Sequence, residues 1–138
     1  MKVKKFMTAN PVVVEQNQSI REAKRLLDEH GFRHLPITDN GRVVGILSDR
    51  DIVRSVAITE SVKTICGIEG DNDVLIQDIM GEHLLCLTPD DNVKDAARIM
   101  SQRKIGSLPV VDNGKLVGII TETDILKAFT EMLDYIGQ

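Results

Sequence analysis

The sequence predicts an α+β fold made of two copies of one β-α-β-β-α unit. The chain matches itself without a gap at an offset of 73 residues: Met7 falls on Met80, Ala23 on Ala96 and Arg25 on Arg98. Between Leu35–Ile52 and Leu108–Ile125, ten of eighteen pairs are identical, which marks a duplication rather than chance. Within each copy, short β-branched runs alternate with runs of helical periodicity.

In the first copy Pro11-Val12-Val13-Val14 has the composition of a strand. Ser19-Ile20-Arg21-Glu22 has the spacing of a capping box, and apolar Ile20, Ala23, Leu26 and Leu27 follow at helical intervals with Gly31 as the stop. Leu35–Thr38 and Val43–Leu47 are strands joined at Asn40-Gly41, a dipeptide that accepts the positive φ of a tight hairpin. Ser48 opens a second helix through Asp51, Ile52, Val53 and Val56. The second copy repeats the order: strand Leu84–Leu87, helix Asn92–Arg103, a hairpin at Asn113-Gly114 and a helix from Thr121.

The expected boundaries are 1–58 for the first unit, 59–73 for a connection with Gly67 and Gly70, and 74–138 for the second unit. A unit of roughly 55 residues buries only about 60% of its unfolded surface. The two are therefore expected to pack sheet to sheet about a pseudo-two-fold axis, leaving two related clefts. The last helix carries an apolar stripe, Ile125, Leu126, Phe129, Met132, Leu133 and Ile136, which serves either core packing or a dimer seam.

Composition narrows the function. The 138 residues carry a net charge of −4 with 42% apolar and 28% charged residues, ordinary for a soluble domain. No basic run exists to neutralise phosphates, which argues against a nucleic-acid partner. Met1–Phe6 is basic but no apolar segment follows, so a signal peptide is not expected. No stretch approaches the ~20 apolar residues that span a bilayer, so no membrane role is expected. Cys66 and Cys86 form no C-x-x-C motif, which fits a cytoplasmic protein with reduced thiols.

Two octapeptides concentrate the chemistry: GILSDRDI at 45–52 and GIITETDI at 118–125. Ser48-x-x-Asp51 and Thr121-x-x-Asp124 have the spacing of capping boxes and of ligand contacts at a strand–helix turn. A cap contributes ~1 kcal/mol. A carboxylate can also accept both hydroxyls of a cis-diol, and a helix start offers N–H groups to an anion. Both readings stay open on spacing alone, and they are compatible.

These residues resemble a known family. The pattern apolar-Pro-apolar-x-Asp-x-Gly, then apolar-apolar-Gly-apolar-apolar-Ser/Thr-x-x-Asp-apolar, written twice, looks like a tandem pair of CBS (cystathionine β-synthase) domains, a Bateman module, from about Val3 to Phe129. The resemblance implies adenosine-type ligands, AMP, ADP, ATP or S-adenosylmethionine, in clefts between the units. It implies that Asp51 and Asp124 take the ribose hydroxyls and that Ser48 and Thr121 touch phosphate or ribose. Phe32-Arg33 and Ile105-Gly106 would line the bases. Gly106 and Ser107 would reach the ligand held by Asp51, while Arg33 and His34 would reach the one held by Asp124. The variable residues Arg50 and Thr123 complete the two sets. Because Arg33-His34 is cationic and Gly106-Ser107 neutral, the Asp124 cleft is the one expected to take a phosphorylated ligand.

A metal site is not expected: of His30, His34, His83, Cys66 and Cys86, only His83-x-x-Cys86 is close in sequence, and Cys86 is expected in a strand as a small buried hydrophobe. No nucleophile elbow, dinucleotide fingerprint or phosphate loop is present, so no catalytic residue and no catalytic cofactor are expected. The expected protein is not an enzyme. It is a stand-alone sensor whose output goes through an effector protein or its own homodimer. The alternative is a ligand-free structural or dimerisation module.

Overall fold

The computed structural model describes residues 1–55, 74–81 and 84–137. The predicted connection 59–73, with Cys66, lies outside these, as do Val56 and His83. Contacts divide the chain into two compact units. Val13–Asn40 with Val44–His83 make the first; Met1–Val12, Gly41–Val43 and Leu84–Gln138 make the second.

In the first unit three strands stand in the order β2 (Val14–Glu15), β3 (His34–Asp39), β4 (Arg42–Ser48). β2 runs parallel to β3 with Val14 opposite Ile37. The predicted strand Pro11–Val14 is shorter than expected and begins only at Val14. Pro11 has no N–H for a ladder, and Val13 is exposed. Helix α2 (Ile20–His30) buries Ile20, Ala23 and Leu27 and packs on β3. Ser19 Oγ accepts the Glu22 N–H at 3.2 Å, but the Glu22 carboxylate turns to the Arg25 guanidinium at 2.6 and 3.0 Å. Only half of the predicted capping box forms, because a forked charge-assisted pair competes well against one main-chain N–H. Gly31, at φ 67°, ends the helix in the left-handed region. A helix described over residues 49–55, here α3, follows β4 and buries Ile52.

The second unit repeats this plan. Helix α4 (Val93–Arg103) starts at Asn92, whose side chain accepts the Lys94 N–H at 2.9 Å. β5 (Ser107–Asp112) and β6 (Lys115–Thr121) are antiparallel, with Ser107 opposite Thr121. Leu87 bridges Val110 in parallel, the counterpart of Val14 and Ile37. The predicted strand Leu84–Leu87 shrinks to this one bridge; Leu85 and Cys86 are exposed, so Cys86 is not the buried hydrophobe expected. Leu87, Ala96, Met100, Leu108, Val110 and Ile120 form the core together with Val3.

Val3 marks a departure from the repeat boundaries. Residues 1–12 pack with the second repeat, through a short helix α1 (Val3–Phe6) and a strand β1 (Thr8–Ala9) that pairs with β6. Val3 N–H donates to Asp91 O at 2.8 Å, and Val93 N–H donates to Met1 O at 2.9 Å. The first repeat receives the same bonds from residues 74–77: Ile76 N–H to Gln18 O and Ile20 N–H to Val74 O, both at 2.9 Å. Each repeat thus takes its leading segment from the other. The cut at 58 and 74 follows the duplication, whereas packing places the leading segments the other way round.

Helix α5 (Glu122–Ile136) divides the predicted apolar stripe. Asp124 and Ala128 are buried and Ile125 packs on the core. Leu126, Phe129, Met132, Leu133 and Ile136 are exposed, so core packing does not account for them. Leu126, Phe129 and Leu133 are turned away from the side that Asp124, Ile125 and Ala128 share, whereas Met132 and Ile136 continue that side or its edge toward the end of the helix. Among the described residues no helix is long and apolar enough to cross a membrane.

Candidate functional site

Each octapeptide runs off a strand into a helix, and the turn between them is closed by its own aspartate. Ser48 N–H donates to Asp51 Oδ2 at 2.9 Å, and Asp51 N–H donates to Ser48 Oγ at 3.1 Å. This is a complete reciprocal cap. At the other turn Thr121 N–H donates to Asp124 Oδ2 at 2.9 Å, and the Thr121 hydroxyl donates to that same oxygen at 3.1 Å. The Ser48 hydroxyl therefore keeps its proton for another acceptor, while the Thr121 proton is spent on the carboxylate.

Both carboxylates use Oδ2 alone among the described residues. Asp124 is only 8% exposed, yet no buried side-chain polar atom of the described residues lacks a partner. Its unbonded Oδ1 is thus an atom that solvent reaches. Capping consumes one oxygen of each aspartate and leaves the other at the surface of a helix entrance, where a hydroxyl can donate to it.

The segment before each Leu-Pro is fixed against the turn of its own unit. Asp49 N–H donates to Arg33 O at 2.9 Å, and Glu122 N–H donates to Gly106 O at 3.1 Å. Phe32-Arg33 therefore sits beside Ser48–Asp51, and Ile105-Gly106 beside Thr121–Asp124. Phe32, Arg33, Arg50 and Thr123 are exposed, whereas Ser107 is buried at the start of β5 and His34 is half-buried at the start of β3. The residues expected to cross over, Gly106 and Ser107 toward Asp51 and Arg33 and His34 toward Asp124, belong to the opposite compact unit in each case.

Charge separates the two turns. Arg33 and Arg50 balance Asp49 and Asp51 at the first, while Glu122 and Asp124 stand without a cation among Ile105–Ser107 and Thr121–Asp124 at the second. A phosphate at the second turn depends on a cation from beyond these residues.

No three His, Cys, Asp or Glu residues cluster for a metal among the described residues. Partial shielding from water pushes the Cys86 thiol above its ordinary value of 9.0, which keeps it protonated at neutral pH.

Comparison with known proteins places this architecture. The CBS domain family matches residues 3–58 and 76–131, so the chain belongs to the CBS-domain family and carries two such domains. It is 33% identical over 123 residues to the CBS domain-containing protein YhcV of Bacillus subtilis, covering 89% of this chain and 81% of that one. It is 31% identical to an uncharacterized protein, MJ0188, of Methanocaldococcus jannaschii, of which it spans only 45%. Among solved structures, the CBS domain pair of protein MJ0100 in complex with 5'-methylthioadenosine and S-adenosyl-L-methionine matches with a TM-score of 0.80 at 32% identity, covering 96% of this chain and 98% of that one. CBSX2 in complex with AMP matches with a TM-score of 0.77 at 33% identity, covering 95% and 97%.

Proposed function

We propose that this CBS-domain pair is a regulatory module that binds an adenosine-type ligand (AMP, ADP, ATP or S-adenosylmethionine) at the Ser48–Asp51 and Thr121–Asp124 turns. The observation that carries the reading is the second oxygen of each aspartate, left free by a cap that uses only the first. A ribose cis-diol is the complementary donor. The adenosine ligands of the MJ0100 pair and of CBSX2 support the ligand class.

The module performs no chemistry of its own on this reading. Its signal is a change of shape, which requires that the ligand favour one arrangement of the chain over another. That change passes to an effector protein or through a homodimer, and the exposed face of α5 supports the homodimer. A second reading, a ligand-free structural or dimerisation module, is favoured by the reciprocal Ser48–Asp51 cap, which gives both residues a structural role of their own.

A thermal-shift panel of AMP, ADP, ATP, S-adenosylmethionine and NAD separates the two. A ligand at ~100 times its Kd should stabilise the fold by ~2.7 kcal/mol. No shift with any of them at millimolar concentration leaves the structural module as the function.

A further inference from the structure

We infer that His30 is a positioning residue for the base at the first turn: it holds the Phe32 ring as a stacking platform for an adenine. This rests on the ligand reading above and assigns base recognition at one of its two turns.

The two repeats bring their chains to this point by the same route. Phe32 N–H donates to Leu27 O at 3.0 Å, and its counterpart Ile105 donates to Met100 O at 3.1 Å. The preceding residues, Gly31 at φ 67° and Lys104 at φ 55°, are both left-handed. Equivalent main chain then carries side chains with different fates. Ile105 packs against the core of its unit. Phe32 is 41% exposed and lies one residue from Arg33, whose carbonyl is tied to Asp49 beside the Ser48–Asp51 turn.

An aromatic ring left in water at such a place needs an explanation. The His30 imidazole supplies part of it, lying nearly parallel to the Phe32 ring with centroids 5.2 Å apart and planes 8° from each other. That is offset stacking, a favourable geometry for two rings. The imidazole lies along one side of the Phe32 ring, while much of the ring's surface remains open. A purine is a flat partner of the right kind, because stacking asks only for a π face. Arg103, the counterpart of His30, has no ring to offer, so the second turn lacks this device.

The test isolates the first turn in an Asp124→Ala background and compares AMP with ribose 5-phosphate by calorimetry. The ratio of their affinities measures what the base contributes. Phe32→Leu should lower that ratio roughly tenfold, and His30→Ala about fivefold. His30→Phe, which keeps a stacked ring, should restore it to within about twofold of the parent. The adenine H2 and H8 resonances should move upfield on binding and lose that shift in Phe32→Leu. Both residues are exposed, so the variants should melt with the parent. A ratio unchanged in His30→Ala while AMP still binds overturns the inference and spares the ligand reading, as does a His30→Phe variant no better than His30→Ala. Failure of the unsubstituted protein to bind AMP overturns both.

Discussion

Glu122 donates its main-chain N–H to the carbonyl of Gly106 at 3.1 Å, and so fastens the start of α5 to the segment that leads into β5. Asp49 and Arg33 make the same bond in the other unit at 2.9 Å. Each helix entrance is therefore tied by main chain to the segment that leads into the preceding strand of its own unit. If the proposed ligand binds there, this tie lowers the ordering cost of recognition.

Removing the aspartates should separate capping from binding. In Asp124→Ala the Thr121 N–H and hydroxyl lose their acceptor, and apo stability should fall by about 1 kcal/mol, up to about 2. Affinity at that turn should collapse. Urea melts and calorimetry on the same samples check this, and lost stability with unchanged affinity would assign Asp124 to the cap alone.

The Arg33→Ala variant tests which turn reads a phosphate. If Arg33 and His34 serve the ligand held by Asp124, Arg33→Ala should weaken AMP much more than adenosine when Asp51 is already replaced. If Arg33 serves its own turn, the selective loss should appear instead when Asp124 is replaced.

The exchanged arm should be a stability element of the second repeat. Val3 is fully buried among residues of that repeat, and Val3→Ala removes about two methylene equivalents, a loss of about 2 kcal/mol with the cavity included. The midpoint of urea unfolding is the readout. Gly118→Ala attacks the same joint from the other side. Its Cβ would stand 3.0 Å from Thr8 O and on top of the Met7 sulfur, so a cost of about 1–3 kcal/mol is expected. Trimming Met7 should recover only part of it, because the Thr8 contact is main chain. Gly45→Ala meets only the tip of Ile37 at 3.3 Å and should be milder.

Asp90 reports arm docking through pH. Hydrogen bonding to Lys4, then to Lys2, holds its carboxyl below the ordinary 3.8. A depressed folded-state value stabilises the protein above the unfolded value and is lost as pH falls through the folded one. Asp90→Asn should therefore unfold less steeply with acid below about pH 4 than the parent, and the two should converge at low pH. High salt should shrink the difference, since the pair is exposed.

The exposed face of α5 should hold the homodimer. Leu126, Phe129, Leu133 and Ile136 follow a 3-4-3 spacing, that of a two-helix seam. Leu133→Glu should shift sedimentation from dimer to monomer with little change in monomer stability. A parent protein that sediments as a monomer at micromolar concentration would remove the homodimer from the proposal.

Local signals fixed much of the fold. The repeat, the hairpins at Asn40-Gly41 and Asn113-Gly114, the stop at Gly31 and the two aspartate turns were all legible, because each rests on a periodicity or a local backbone preference. The octapeptides also showed that caps and ligand contacts share residues. Sequence could not show that the caps leave one carboxylate oxygen unused, since that depends on atoms meeting in space.

Tertiary structure decided the rest. Val3 and Ile76 look alike in sequence, and only long-range hydrogen bonds reveal that each completes the opposite repeat. Ile125 and Leu126 are adjacent apolar residues, but helix rotation sends one to the core and the other to solvent. Phe32 and Ile105 occupy equivalent backbone, yet Ile105 packs on its core while Phe32 stays exposed, stacked on His30. Duplication copies a pattern into two places; which residues each copy buries is set by what packs against it.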